Sequence, residues 1–132
     1  TIPETLGASL QTISISFNYL EGSLPGSLIK SPKLSEISLS HNRITGNLSV
    51  FKEATNIKQF NASVNYLSGI IPRSLLHLDY TKILSGNVFD CSLADRDSEL
   101  PQNDPSSTYY QCGSNFYNIF KKYEKCTWFH IN

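Results

Sequence analysis

Apolar and polar positions along the chain recur in register. Asn18, Asn42, Asn65 and Asn87 follow one another at steps of 24, 23 and 22 residues. Eight, five and three positions before each of the first three stand apolar residues: Leu10, Ile13 and Ile15, then Leu34, Ile37 and Leu39, then Ile57, Phe60 and the smaller Ala62. Two positions after each comes Leu20, Ile44 or Leu67, and four positions after comes Gly22, Gly46 or Gly69. Agreement in so many columns marks a repeated supersecondary unit and not a chance alternation.

Within a unit, Ile13 and Ile15, like Ile37 and Leu39, alternate with polar residues, which predicts short strands with one buried face. The asparagine at the strand's end is not a packing residue. Its carboxamide carries two donors and an acceptor, suited to backbone groups left unpaired where the chain turns inward. Stacked coils would therefore stack Asn18, Asn42, Asn65 and Asn87 into a structural ladder. The glycine four residues later permits a tight bend, and the pairs Leu24-Pro25 and Ile71-Pro72 set an extended segment on the opposite side. Each unit makes one turn of a solenoid. No single turn can bury its apolar face, so stability comes from neighbouring turns and depends on covered ends.

This spacing resembles the plant-type leucine-rich repeat, L-x-x-L-x-L-x-x-N-x-L-x-G-x-I-P, whose best copy here is LQTISISFNYLEGSLP, Leu10 to Pro25. The likeness runs from residue 2 to about residue 93, and Ile2-Pro3 looks like the tail of a preceding repeat. It departs at Ser49, where proline is expected, at Ala62, where a large apolar residue is expected, and in the last copy around Ile83, which is one residue short. The resemblance implies an α/β repeat fold, a leucine-rich repeat solenoid. Short parallel strands would line its concave face, the convex side would be irregular or 3-10, and a disulfide-bonded cap would close the C-terminus. It divides the chain into residues 1–90, about three and a half repeats without an N-terminal cap, and residues 91–132, a C-terminal cap and aromatic-rich tail.

Residues 86–93, GNVFDCSL, resemble the start of such a cap, in which a cysteine soon after the last Asn ties a covering loop to the solenoid. The resemblance implies Cys112 as the partner of Cys91, with two reduced buried thiols as the alternative. Cys126 is then odd: a free thiol, one paired to a part of the chain outside this sequence, or an intermolecular bridge. Because the chain opens inside a repeat, Ile2, Leu6 and Leu10 are expected to lie uncovered, to be packed by upstream sequence or by another subunit. Asp90, Asp95, Asp97, Glu99 and Asp104 surround a single Arg96 without the D-x-D-x-D-G order of a calcium loop, so a solvated acidic loop is expected. Beyond it, Phe116, Ile119, Phe120 and Tyr123 form the stripe of an amphipathic helix with Ser114 as its N-cap. That helix would fold over the last coil, or else dock on a partner or membrane beside Lys121, Lys122 and Lys125.

Charge and chemistry narrow the function. Eleven Lys and Arg balance eleven Asp and Glu, which disfavours a nucleic-acid binder with a strongly basic surface. No stretch approaches the roughly 20 apolar residues of a membrane-spanning helix, so anchoring in a membrane would come only through sequence not present here. No nucleophile stands beside a base, and His41, His77 and His130 lack metal-ligand spacing, so no catalytic residue, metal or cofactor is expected. The sequons Asn47-Leu48-Ser49 and Asn61-Ala62-Ser63, together with a cap disulfide, point to a eukaryotic secretory compartment. Asn61 would project from the concave face, where a glycan would obstruct a ligand, which favours Asn47 on the lateral turn.

The repeat register assigns the outward concave positions to Gln11, Thr12, Ser14, Ser16 and Phe17 in the first coil and to Ser35, Glu36, Ser38, Ser40 and His41 in the second. In the third they are Lys58, Gln59, Asn61, Ser63 and Val64. These are mostly small and polar, with few of the large anchors that dominate protein interfaces. The expected function is a non-catalytic protein- or peptide-binding module of an extracellular or luminal glycoprotein or receptor ectodomain. The alternative is a structural subunit of a larger assembly, docked on a neighbouring subunit through its open N-terminal coil and aromatic C-terminal tail.

Overall fold

The structure, a computed structural model, describes residues 1–92 and 94–113. The tail helix, its Ser114 cap and Cys126 lie outside the described residues. Along the chain run β1 (Thr12–Ser14), β2 (Glu21–Gly22), α1 (Ser27–Lys30), β3 (Glu36–Ser38) and β4 (Arg43–Gly46). After a 3-10 turn at Ser49–Phe51 come β5 (Gln59–Asn61) and β6 (Tyr66–Ile70), and after a second at Arg73–Leu75 come β7 (Tyr80–Lys82), β8 (Val88–Asp90) and α2 (Arg96–Glu99). All strand pairs are parallel, because each strand meets its counterpart one full coil later.

Two sheets result, ordered β1-β3-β5-β7 and β2-β4-β6-β8. The first is the expected short-stranded face. The second begins just after each asparagine and turns what periodicity alone left as a polar bend into paired strands. On the convex side α1 and the two 3-10 turns close the coils, and Ser49 opens one of those turns where proline was expected. Between these walls Leu28, Leu34, Leu39, Leu48, Phe51, Phe60, Leu67 and Leu75 are fully enclosed, and the Phe51 and Phe60 rings meet at 4.9 Å.

In the first sheet Ile13, Ile37, Phe60 and Thr81 stand in register and all point inward. Thr81 is the exception in chemistry: its Oγ1 is buried with no hydrogen-bond partner among the described residues. A hydroxyl dried without compensation costs about 1–3 kcal/mol. Thr81→Val keeps the shape and the β-branch while removing that group, and is expected to raise stability by about 1 kcal/mol in urea unfolding. A neutral or destabilising result would mean that the hydroxyl is already satisfied.

The last coil is not simply short. Ala62 N bonds Lys82 O and Val64 N bonds Ser85 O, so Ile83 and Leu84 together stand opposite the single residue Ala62. The coil is cut before its strand and carries one extra residue after it, a local bulge. Both bulge side chains are buried, and their N–H groups need an acceptor that no further coil supplies.

The cap supplies it. Asp104, only 2% exposed, accepts from Ile83 N at 2.7 Å and Leu84 N at 3.0 Å through Oδ2, and from Ser106 N at 2.9 Å through Oδ1. The expectation of a wholly solvated acidic loop therefore fails at Asp104, while Asp90, Asp95 and Asp97 are exposed. Tyr110 plays a similar part: its hydroxyl accepts from Phe89 N and donates to Asn87 O. Burial pushes this phenol up to about 12, which keeps the donated proton in place. The Arg96 guanidinium gathers the loop by donating to Tyr110 O and Ser107 O. Cys91 and Cys112 are joined in a disulfide that closes a loop of 21 residues, a constraint worth about 3 kcal/mol through the unfolded chain.

At the other end the leading segment covers itself better than expected. Ile2 is buried, and Leu6 and Leu10 are half-buried against the core instead of lying open. Ser27 Oγ donates to Pro3 O at 2.8 Å, which ties the segment to the first full coil.

Candidate binding surface

The asparagine ladder sets the geometry of the accessible faces. Asn42 Nδ2 donates to Leu39 O in its own coil and to Ile15 O in the coil before, while its Oδ1 accepts from Leu20 N. Asn65 repeats this with Ala62 O, Leu39 O and Ile44 N, and Asn87 with Ile83 O, Ala62 O and Leu67 N. Asn18 is the exposed end rung and makes only local bonds to Ile15 O and Ser16 O. Each buried rung thus crosslinks two coils and terminates the concave strand at the same level.

Turning the asparagine inward forces its predecessor into the left-handed region. Phe17, His41 and Val64 have φ of 59°, 58° and 55°, and Gly86 takes the same place in the last coil with φ of 76°. A Cβ on Gly86 would lie 2.6 Å from Val64 Cα, so only glycine fits there. The left-handed turn throws the side chains outward at the rim. Phe17 and His41, placed by register on the concave sheet, stand instead beyond its strands and stack ring on ring at 4.2 Å.

The concave sheet itself presents Gln11, Thr12, Ser14, Glu36, Lys58 and Gln59 to solvent, with Ser16, Ser35, Ser38 and Asn61 half-buried. Ser40 and Ser63 are buried, contrary to the register reading, because the chain is already turning inward at these positions. Ser40 Oγ donates to Ser16 Oγ, and Ser63 Oγ donates to Asn61 Oδ1. Tyr80, in register with Gln59, adds an aromatic at the C-terminal edge that the sequence reading had not assigned to the face.

The large side chains lie along the ladder. One position after each asparagine come Tyr19, Arg43, Tyr66 and Val88, which sequence reasoning missed because this column is unspecified in the repeat. Phe17, Tyr19 and Tyr66 are 74%, 79% and 63% exposed. Arg43 lies 4.8 Å above the Tyr19 ring and pairs with Glu21 at 3.6 Å, an exposed ion pair worth little by itself. At the C-terminal end Gly86, Val88 and Tyr109 line a shallow hollow with Ser85, Ser106 and Gln111. The result is a column of large exposed side chains, one or more from each coil, with Tyr and Arg as its main residues. Among the described residues no group of three or more His, Cys, Asp or Glu is placed to hold a metal.

The sequence profile of the Leucine Rich Repeat family matches residues 9–31 and 33–52. The coils are leucine-rich repeats of the plant type. Over 78 residues, 59% of its length, the chain is 40% identical to pollen receptor-like kinase 2 of Arabidopsis thaliana, of which it spans 12%. The crystal structure of a pollen receptor kinase 3 superposes with a TM-score of 0.57 at 35% identity, over 63% of this chain and 41% of that one. A plant peptide hormone receptor, RGFR1, solved in complex with RGF2, superposes with a TM-score of 0.57 at 28% identity, over 70% of this chain and 16% of that one. The repeats described above are therefore similar to segments of much longer plant receptors.

Proposed function

We propose that this chain is a non-catalytic, peptide- or protein-binding segment of a plant receptor-like ectodomain, working outside the cell or in the secretory lumen. Residues 1–90 are its repeat unit and residues 91–132 its cap and tail. The observation that carries the reading is the exposed strip of Phe17, Tyr19, Arg43 and Tyr66 beside a rigid polar sheet. Tyr and Arg on a preorganised surface are the residues that concentrate binding energy, and they lose little freedom on contact because the ladder already fixes their backbone. The concave sheet, including Glu36, Lys58 and Gln59, supplies hydrogen-bonding register. Similarity to a receptor solved with a peptide hormone supports a peptide as the class of ligand.

Panning the disulfide-bonded chain against a random peptide display library tests this. Enriched peptides are expected to lose about 30-fold in affinity, roughly 2 kcal/mol, on Phe17→Ala or Tyr66→Ala. Peptides indifferent to substitutions on both the strip and the sheet, or no enrichment at all, would defeat the reading.

A further inference from the structure

We infer that Asn47, and not Asn61, is an N-linked glycan acceptor in this protein, taking an oligosaccharide from a lipid-linked pyrophosphate donor. Two sequons are present, and the fold treats them differently. Asn47 follows β4 on the lateral turn and is exposed, as is Ser49. Its Oδ1 accepts from Ser49 N at 3.0 Å, which closes a compact Asx turn over the buried Leu48. The turn brings the carboxamide and the residue bearing the hydroxyl together, while the amide nitrogen has no hydrogen bond among the described residues. Clearance comes from the next coil. Gly69 sits beside Asn47, where an added Cβ would lie only 3.1 Å from Asn47 Cβ, so a side chain there would crowd the glycan stem.

Asn61 lies in β5, inside the first sheet, between Ser38 of β3 and Lys82 of β7. Its Oδ1 accepts from both Ser63 N and Ser63 Oγ, and Ser63 is 2% exposed. A glycan at Asn61 would have to leave across the concave sheet and over a sequon hydroxyl that folding buries. At Asn47 it stands just past the end of β4, at the opposite end of that strand from Arg43 and outside the first sheet.

The transfer balances simply. A bond forms from Asn47 Nδ2 to the anomeric carbon of the donor sugar. The bond from that carbon to the pyrophosphate oxygen breaks, its electron pair leaving with the phosphate, and the amide gives up one proton.

The inference shares the secretory placement proposed above and is independent of the binding surface. Translating the chain behind a supplied signal peptide in the presence of microsomes tests it, so an unmodified product counts against Asn47 and not against ligand binding. A single glycan, removable by peptide-N-glycosidase, is expected on the wild type and on Ser63→Ala, and none on Ser49→Ala. An unmodified wild type, two glycans, or a glycan that survives Ser49→Ala would overturn it. Peptides enriched on the glycosylated chain should keep their affinity after enzymatic deglycosylation, and a tenfold change would place the glycan on the binding face instead.

Discussion

Asn65→Ala is expected to destabilise the protein by about 3–5 kcal/mol, read as a lowered midpoint in urea unfolding. The substitution removes a carboxamide that bonds Leu39 O at 3.0 Å and Ala62 O and Ile44 N at 3.1 Å each. Ile44 N is left without an acceptor at a buried site, a cost of about 1–3 kcal/mol, while Leu39 O and Ala62 O keep the amides of Asn42 and Asn87 as donors and lose one bond each, about 0.5–1.5 kcal/mol apiece. The matched comparison is Asn18→Ala. That residue occupies the same column but is exposed and bonds only Ile15 O and Ser16 O in its own coil. Its loss should cost under about 1 kcal/mol, because water can take over. Equal losses at the two positions would show that the asparagines act locally and that the cross-coil bonds add nothing.

That contrast also shows what the sequence could and could not disclose. The interval between asparagines and the alternation of Ile13 with Ile15 demand a strand ended by an inward amide in every coil, and the register of the first sheet follows from them. The concave positions within strands, Thr12, Ser14, Glu36, Ser38, Gln59 and Asn61, were legible for the same reason. Positions after the strand were not. Phe17, His41 and Val64 follow the apolar spacing as outward residues, but period-two reasoning carries no information about the sign of φ. The left-handed turn moves these side chains to the rim and buries Ser40 and Ser63. The pairing of Cys91 with Cys112 came from resemblance to a family cap and not from spacing. Asp104 looks solvated in a linear sequence because the loop that holds it carries other acids. Its partners, Ile83 and Leu84, lie 21 and 20 residues away and need an acceptor only because the last coil bulges.

Asp104→Ala should therefore cost about 3–5 kcal/mol, comparable to a central rung of the ladder although it lies in a loop. Charge-assisted bonds to buried N–H groups contribute about 1.5–3 kcal/mol each, and Asp104 makes two of them to the bulge as well as one that shapes its own turn. The loss should be felt unevenly. The cap stays tethered through Cys91 and Cys112, so the loop cannot drift away, but the exposed end of the solenoid loses the group that stands in for a further coil. In a stack whose coils touch only their neighbours, such damage frays from the end inward. Hydrogen exchange is expected to accelerate at the amides of Ile83 and Leu84 while that of Leu39, whose amide bonds Asn61 O, remains slow. Asp104→Asn keeps one oxygen and can serve either the bulge or Ser106 N, so its cost should fall between those of the wild type and Ala. Uniform acceleration along the chain would mean that the solenoid opens as one unit. A cost below about 0.5 kcal/mol, the range of an ordinary surface substitution, would return Asp104 to the solvated loop that its neighbours suggest.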